Sequence, residues 1–189
     1  MNPCRIPGAD EEDSAERPTL TIAQVMALVG RVPERYRALI LLATFACLRW
    51  GEISALQRCD VDLSAGTVRV REAFTEQRGK GMVLGPPKSK AGVRTVSIPS
   101  VIVPAIRAHL NLHVKEWPDS FVFTTESGKT IWRGNFNELV DWRRSAAAIG
   151  APVCTSMTSG TRTIPLLHRR APAYAISWPE WAMRAPAPP

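Results

Sequence analysis

Arg49 closes an almost uncharged run, Ala38 to Leu48, and is followed by Trp50, Gly51 and Glu52. A guanidinium presents a planar fork of donors that matches two oxygens of a phosphate, and it stays charged at any working pH. The plain alternative is a cation near a helix C-terminus, stabilised by the helix dipole. Glu52 also has two readings: a carboxylate that braces the arginine's pocket, or a solvated acid in the first turn of a helix. A second basic group lies downstream in Pro86-Pro87-Lys88-Ser89-Lys90-Ala91-Gly92, where Lys88 or Lys90 can meet an anion from a turn. The bland counterpart is a solvated turn, which is what most Lys-Gly clusters are. Arg69, Arg71, Lys88, Lys90 and Arg94 can together lie along a phosphate backbone, with contacts that position a protein but read no sequence. His109 and His113 share one helix face and can bind a metal. With no third ligand at metal spacing, a solvated helix face is expected instead. No P-loop, GxSxG, HExxH or Rossmann fingerprint occurs.

The elements that must position these groups follow from periodicity and punctuation. Residues 1–17 are polar, with Pro3, Pro7, Gly8 and the acidic cluster Asp10-Glu11-Glu12-Asp13, and read as a flexible leading segment. Thr21 and Gln24 have capping-box spacing, and Leu20 with Val25 makes a hydrophobic staple, so a helix is predicted from there to about Val29. A second helix is predicted over Glu34 to Leu48 and a shorter one from Gly51 to Gln57. Thr67-Val68-Arg69-Val70-Arg71 alternates apolar and basic residues as a half-exposed strand does. Met82-Val83-Leu84 and Arg94-Thr95-Val96-Ser97-Ile98 are the other two strands expected. Helices are predicted again at Val101 to Val114 and near Asn135 to Ala148, with a short strand at Phe121-Val122-Phe123 between them. Trp117, Trp132 and Trp142 read as core or rim aromatics. From Ala151 onward Pro165, Pro172, Pro179 and Pro186 interrupt every helical window, and a poorly ordered tail is expected.

Composition narrows the partners. The chain of 189 residues holds one domain with a sizeable core plus tails, and its net charge of +7 favours a polyanion, most commonly nucleic acid. Cys4, Cys47, Cys59 and Cys154 show neither CxxC nor zinc spacing. Cys47 and Cys59 sit in helix-like patterns as reduced, buried thiols do, which favours the cytosol. No apolar stretch follows Met1-Asn2-Pro3-Cys4, so no signal peptide is expected, and Ala38 to Leu48 is shorter than the ~20 residues a bilayer span needs. A soluble, cytoplasmic protein is the expectation.

Ala46-Cys47-Leu48-Arg49-Trp50-Gly51-Glu52, behind an apolar helix, resembles the first catalytic block of the tyrosine recombinases, the phage-integrase family, whose consensus is close to T-G-L-R-x-G-E. Pro87-Lys88-Ser89-Lys90-Ala91-Gly92-Val93-Arg94 is similar to that family's P-K-T-x-x-S/G-x-R hairpin, with Ser89 where threonine is usual. The resemblance covers roughly residues 18 to 150. It implies a mixed α+β, mainly α fold: an incomplete recombinase catalytic domain with a small three-stranded antiparallel sheet. Residues 1–17 would then be the former linker from a DNA-clamping N-terminal domain. The activity implied is site-specific DNA recombination and integration, a phosphoryl transfer that needs no metal or cofactor. In it a tyrosine attacks DNA to give a 3′-phosphotyrosine, arginines neutralise the transition-state charge, and a lysine protonates the departing 5′ hydroxyl. By this resemblance Arg49 grips the scissile phosphate, Glu52 braces the pocket, and Lys88 is the general acid with Lys90 as runner-up. The implied partners are double-stranded DNA and other recombinase protomers, with no membrane.

The later blocks of the family are missing from the 189 residues. There is no His-x-x-Arg anywhere; His168 is followed by Arg169, Arg170 and Ala171. Tyr174 stands in Pro172-Ala173-Tyr174-Ala175, a context unlike that of the family's nucleophile, so no nucleophile is assigned. Two further readings stand beside a recombinase without turnover: a non-catalytic DNA-binding fragment that modulates an intact recombinase, and a decayed gene product. The codons of the tail point to a cause. Read one nucleotide earlier, Met157-Thr158 forces aspartate, Trp178-Pro179 forces alanine and Trp181-Ala182 forces glycine. Suitable codons around the first give His-Asp-Leu-Arg-His from Ser156 to Thr161, which looks like the missing block. Residues 151–189 are therefore expected to be an out-of-frame tail. Sequencing the gene should show His-Asp-Leu-Arg-His in the neighbouring frame; a locus that encodes anything else there ends the frameshift idea.

Overall fold

The computed structural model describes residues 20–77, 79–87 and 90–151, Lys90 by its backbone alone. The leading segment, Lys88 and the proline-rich tail beyond Ala151 lie outside the described residues. Helix α1 (Ile22–Arg31) starts as its sequence dictates: the Thr21 hydroxyl accepts from Gln24 N at 3.2 Å, and Gln24 Oε1 accepts from Thr21 N at 3.0 Å. Leu20 and Val25 are both buried beside this box. Helix α2 (Glu34–Phe45) buries every residue from Ala38 to Thr44, as a helix surrounded on all sides must. It stops three residues short of the predicted Leu48, because Cys47 takes a left-handed backbone (φ 51°) that no helix continues through. That turn also brings the Cys47 thiol to the surface, where Cys59 is exposed too; neither is the buried thiol expected.

Helix α3 (Trp50–Ser54) follows at once, and the chain then enters its β region. Strands β1 (Val61–Asp62), β2 (Thr67–Val70) and β5 (Arg94–Ser97) form an antiparallel sheet in the order β1-β2-β5, with Val68 opposite Val96 and Arg69 opposite Thr95. Val68 and Val70 point into the core while Arg69 is exposed, the period of two seen in the sequence. The small three-stranded sheet is thus present, but its third member is β1 and not Met82-Val83-Leu84. Those residues sit in β4 (Gly81–Gly85), which pairs with β3 (Ala73–Gln77) as a separate hairpin.

A 3-10 turn at Ser100–Ile102 leads into α4 (Val103–His113). The predicted strand at 121–123 is only an isolated bridge from Phe121 to Gln57. Its backbone groups find other partners: Val122 N donates to Leu56 O at 2.8 Å, and Val122 O accepts from His109 Nε2 at 2.8 Å. The single helix expected near 135–148 is two, α5 (Arg133–Leu139) and α6 (Trp142–Ala148), broken where Asp141 adopts a left-handed backbone (φ 43°). The break lets Phe136, Val140, Trp142 and Ala146 all face the core. Phe136 meets Tyr36, Trp50 and Trp142 with ring centroids 5.9, 5.0 and 6.4 Å away, so α5 and α6 close over α2 and α3. Trp142 is therefore core, whereas Trp117 and Trp132 are exposed.

His109 corrects the expectation of a solvated face on α4. It is 4% exposed, lies 4.9 Å from the Phe123 ring, and its Nε2 donates to Val122 O at 2.8 Å. That bond leaves Nδ1 as the unprotonated nitrogen of a neutral ring. Burial pushes its pKa down to about 4, opposed by the Val122 bond and aided by His113 and Arg35. A folded-state pKa below the ordinary 6.5 means that the unfolded chain takes up the proton first. The stabilisation is thus complete above pH 6.5 and erodes as pH falls toward about 4. Urea denaturation should show a loss of about 2 kcal/mol between pH 7.5 and 5, largely absent in His109→Gln. Equal pH slopes in the two proteins would show that His109 is not held neutral.

Candidate phosphate-binding site

The site starts where α2 fails to continue. After the left-handed Cys47 the chain runs extended through Arg49 (φ −73°, ψ 155°), which caps α3. Glu52 falls three residues later, so its side chain folds back and Oε2 accepts from Arg49 N at 2.8 Å. The same carboxylate takes a two-pronged bond from Arg94 on β5, Nη1 to Oε1 and Nη2 to Oε2, each at 2.8 Å. Arg94 Nη1 also donates to Gly92 O at 3.2 Å. The Arg49 guanidinium stays farther off, Nη1 lying 3.8 Å from Glu52 Oε1. Exposure follows the same order: 3% for Glu52, 32% for Arg94 and 68% for Arg49. Burial alone would raise the Glu52 pKa. The Arg94 hydrogen bonds, the Arg49 N–H and the charges of both arginines outweigh it and hold Glu52 below the usual carboxylate value. Arg94 is pushed up in turn, chiefly by its bond to Glu52.

The glycine of the motif has a steric reason. A Cβ on Gly51 would sit 2.4 Å from Phe74 O, so the backbone of β3 passes directly against α3. Phe74 stacks in turn on Phe121 at 5.5 Å, fixing the hairpin from its other side. The loop from Pro86 to Val93 is therefore tied at both ends to one five-residue helix. The β3–β4 hairpin holds the entering end against Gly51, and Arg94 holds the leaving end against Glu52. Within the loop a Cβ on Gly92 would lie 2.3 Å from Pro87 Cβ, so these two residues pinch its base. Lys88 is outside the described residues, and Lys90 is placed only as backbone in the 3-10 turn Lys90–Gly92.

The other sequence-predicted residues divide by partner. Arg71 is bound to Asp60, which is 6% exposed, and reaches Gln57 Oε1 at 3.2 Å. Asp60 Oδ2 accepts from Gln57 N at 3.1 Å, so it sits on its cap residue as Glu52 sits on Arg49. Sequence reasoning missed Asp60, although an acid three residues after a cap-forming position was the available signal. Arg94 and Arg71 thus face carboxylates of the protein. Arg69 projects from the exposed face of β2. Arg49 and Glu52 come together; Arg69 and Arg71 do not join them. Among the described residues no three His, Cys, Asp or Glu side chains converge on one point, and no helix is long and apolar enough to cross a membrane.

This fold is found in solved DNA recombinases. The chain superposes on the Tn1549 transposon integrase, solved in complex with transposon right end DNA, with a TM-score of 0.57 at 19% identity over 69% of this chain and 46% of that one. No family model matches the chain. It is 39% identical over 124 residues to the prophage phiRv2 integrase of Mycobacterium tuberculosis, covering 65% of this chain and 32% of that protein. It is 30% identical over 156 residues to the integrase of Mycobacterium phage L5, covering 80% of this chain and 41% of that protein. The chain spans less than half the length of these relatives. It belongs to the tyrosine recombinases, the phage-integrase family.

The Glu52 contacts set an expected outcome for stability. Glu52→Ala strands the half-buried Arg94 and frees the cap of α3, and should destabilise the protein by about 3 kcal/mol in urea titration. A loss under about 1 kcal/mol would mean that the carboxylate is no more than a surface acid.

Proposed function

We propose that residues 20–151 are the phosphate-gripping part of a site-specific DNA recombinase, and that this chain binds double-stranded DNA without cutting it. The observation that carries this reading is the state of Arg49. Its side chain is 68% exposed, on a backbone fixed by Glu52, while the charge of Glu52 is already met by Arg94. An arginine so held keeps its charge for an outside anion, and a DNA phosphate is the anion the family handles. Lys88 and Lys90 fall in sequence between the two segments that Gly51 and Arg94 anchor to the same helix, which suits the role of the family's general acid. Arg69 adds a backbone contact from the exposed face of the sheet. The 189 residues carry neither His-x-x-Arg nor a tyrosine in the family's context, so no covalent intermediate forms. We read residues 151–189 as an out-of-frame tail in place of those blocks. DNA as partner puts the working location in the cytoplasm.

Incubation with a suicide substrate carrying an attachment site should yield no covalent protein–DNA band; a band lost in Tyr174→Phe would overturn the reading and name the nucleophile. Duplex binding should be weak, with Kd about 10⁻⁴–10⁻⁶ M at physiological salt and a steep salt dependence. Lys88→Ala with Lys90→Ala should weaken binding to two unrelated duplexes alike and flatten the slope between 50 and 200 mM salt. Arg49→Ala should cost less than that pair. Salt-insensitive, sequence-selective binding would refute a backbone binder.

A further inference from the structure

We propose that Arg94 is a positioning residue that keeps Arg49 available to phosphate by occupying the carboxylate that would otherwise capture it. The inference rests on the phosphate-binding reading above. Three charged groups meet here, and the distances show how they are partitioned. Arg94 takes both Glu52 oxygens at 2.8 Å, while Arg49 stands 3.8 Å from the nearer one. Glu52 cannot move away, because its Oε2 also caps Arg49 N at 2.8 Å and its side chain is 3% exposed. Arg49 therefore has a carboxylate permanently within reach, on its own helix turn. Without Arg94, Oε1 would be left to the Arg49 guanidinium, whose Nη1 already lies 3.8 Å from it, while Oε2 stays on Arg49 N. The group of three carries a net single positive charge with Arg94 present and none without it. Arg94 comes from β5, directly after the Lys88 loop, so the charge on Arg49 is released only when that strand is docked. Arg94 then contributes to DNA binding without touching DNA.

The test reads Arg49 itself. Full-length protein is treated with phenylglyoxal, and adduct formation at Arg49 is followed by peptide mass spectrometry against exposed Arg69 as internal reference. Arg94→Gln should slow modification of Arg49 about three-fold, the effect of one exposed ion pair gained. The double variant R94Q/E52Q, in which two neutral amides face each other, should restore the wild-type rate. Duplex affinity should follow the same order, falling in R94Q and returning in R94Q/E52Q. Unchanged Arg49 reactivity in R94Q, or a double variant that binds DNA as poorly as R94Q, would overturn the proposal and make Arg94 a direct contact. Should R94Q not fold, Arg94→Lys carries the test. An ammonium engages one carboxylate oxygen at a time, so Arg49 slows by a smaller factor and recovers in R94K/E52Q; no slowing sinks the idea. A wild-type protein that binds no DNA while showing this reactivity pattern would retire the DNA-binding reading and leave the charge partition standing.

Discussion

Glu52 is the point through which the helical half and the sheet of this protein are joined. One buried carboxylate satisfies the backbone N–H of the residue that caps α3 and both terminal nitrogens of an arginine from β5. Taking a carboxylate out of water is expensive, and only this full set of donors makes the position tenable. The backbone of Arg49 and the docking of β5 through Arg94 both refer back to that side chain. Apolar packing alone would hold α3 against its neighbours but would not set which way Arg49 faces.

The same device occurs a second time, eight positions along the chain. Asp60 receives the N–H of Gln57 and the side chain of Arg71, as Glu52 receives those of Arg49 and Arg94. Each acid stands three residues after the residue it caps, and each is met by an arginine from the β region. A sheet this small has little apolar surface with which to choose its register on the helices. Val68, Val70 and Ile98 supply the packing, and the two ion pairs fix the position. Pairs of this kind add little net stability compared with apolar contacts of equal volume, so their contribution is better described as orientation.

Much of this arrangement was legible in the sequence, and the failures have specific causes. The capping box of α1, the apolar α2, the alternation of β2 and the Arg-x-Gly-Glu motif were all local signals, and the structure honours them. Strand β3 was missed because Thr75, Glu76 and Gln77 are all exposed, which leaves no alternation to detect. Its existence depends on the docking of Phe74 against Gly51, a contact between residues that no window joins. The ends of α2 and α5 were misjudged because Cys47 and Asp141 are left-handed without being glycine, and single residues of other types rarely announce that conformation. The partners of Arg71 and Arg94 were out of reach for a related reason. A basic residue on a half-exposed strand looks the same whether it faces solvent or a buried acid.

Among the described residues, the contacts that fix Arg49 come from positions 49 to 94. The core that supports them is closed by Phe136, Trp142 and Ala146. On the proposed recombinase reading, holding the phosphate falls to the stretch around Arg49, and breaking its ester falls to a nucleophile from another stretch of chain. On the same proposed reading, the exposed Arg49 side chain, with the Glu52 charge already met by Arg94, is the group left to meet a phosphate.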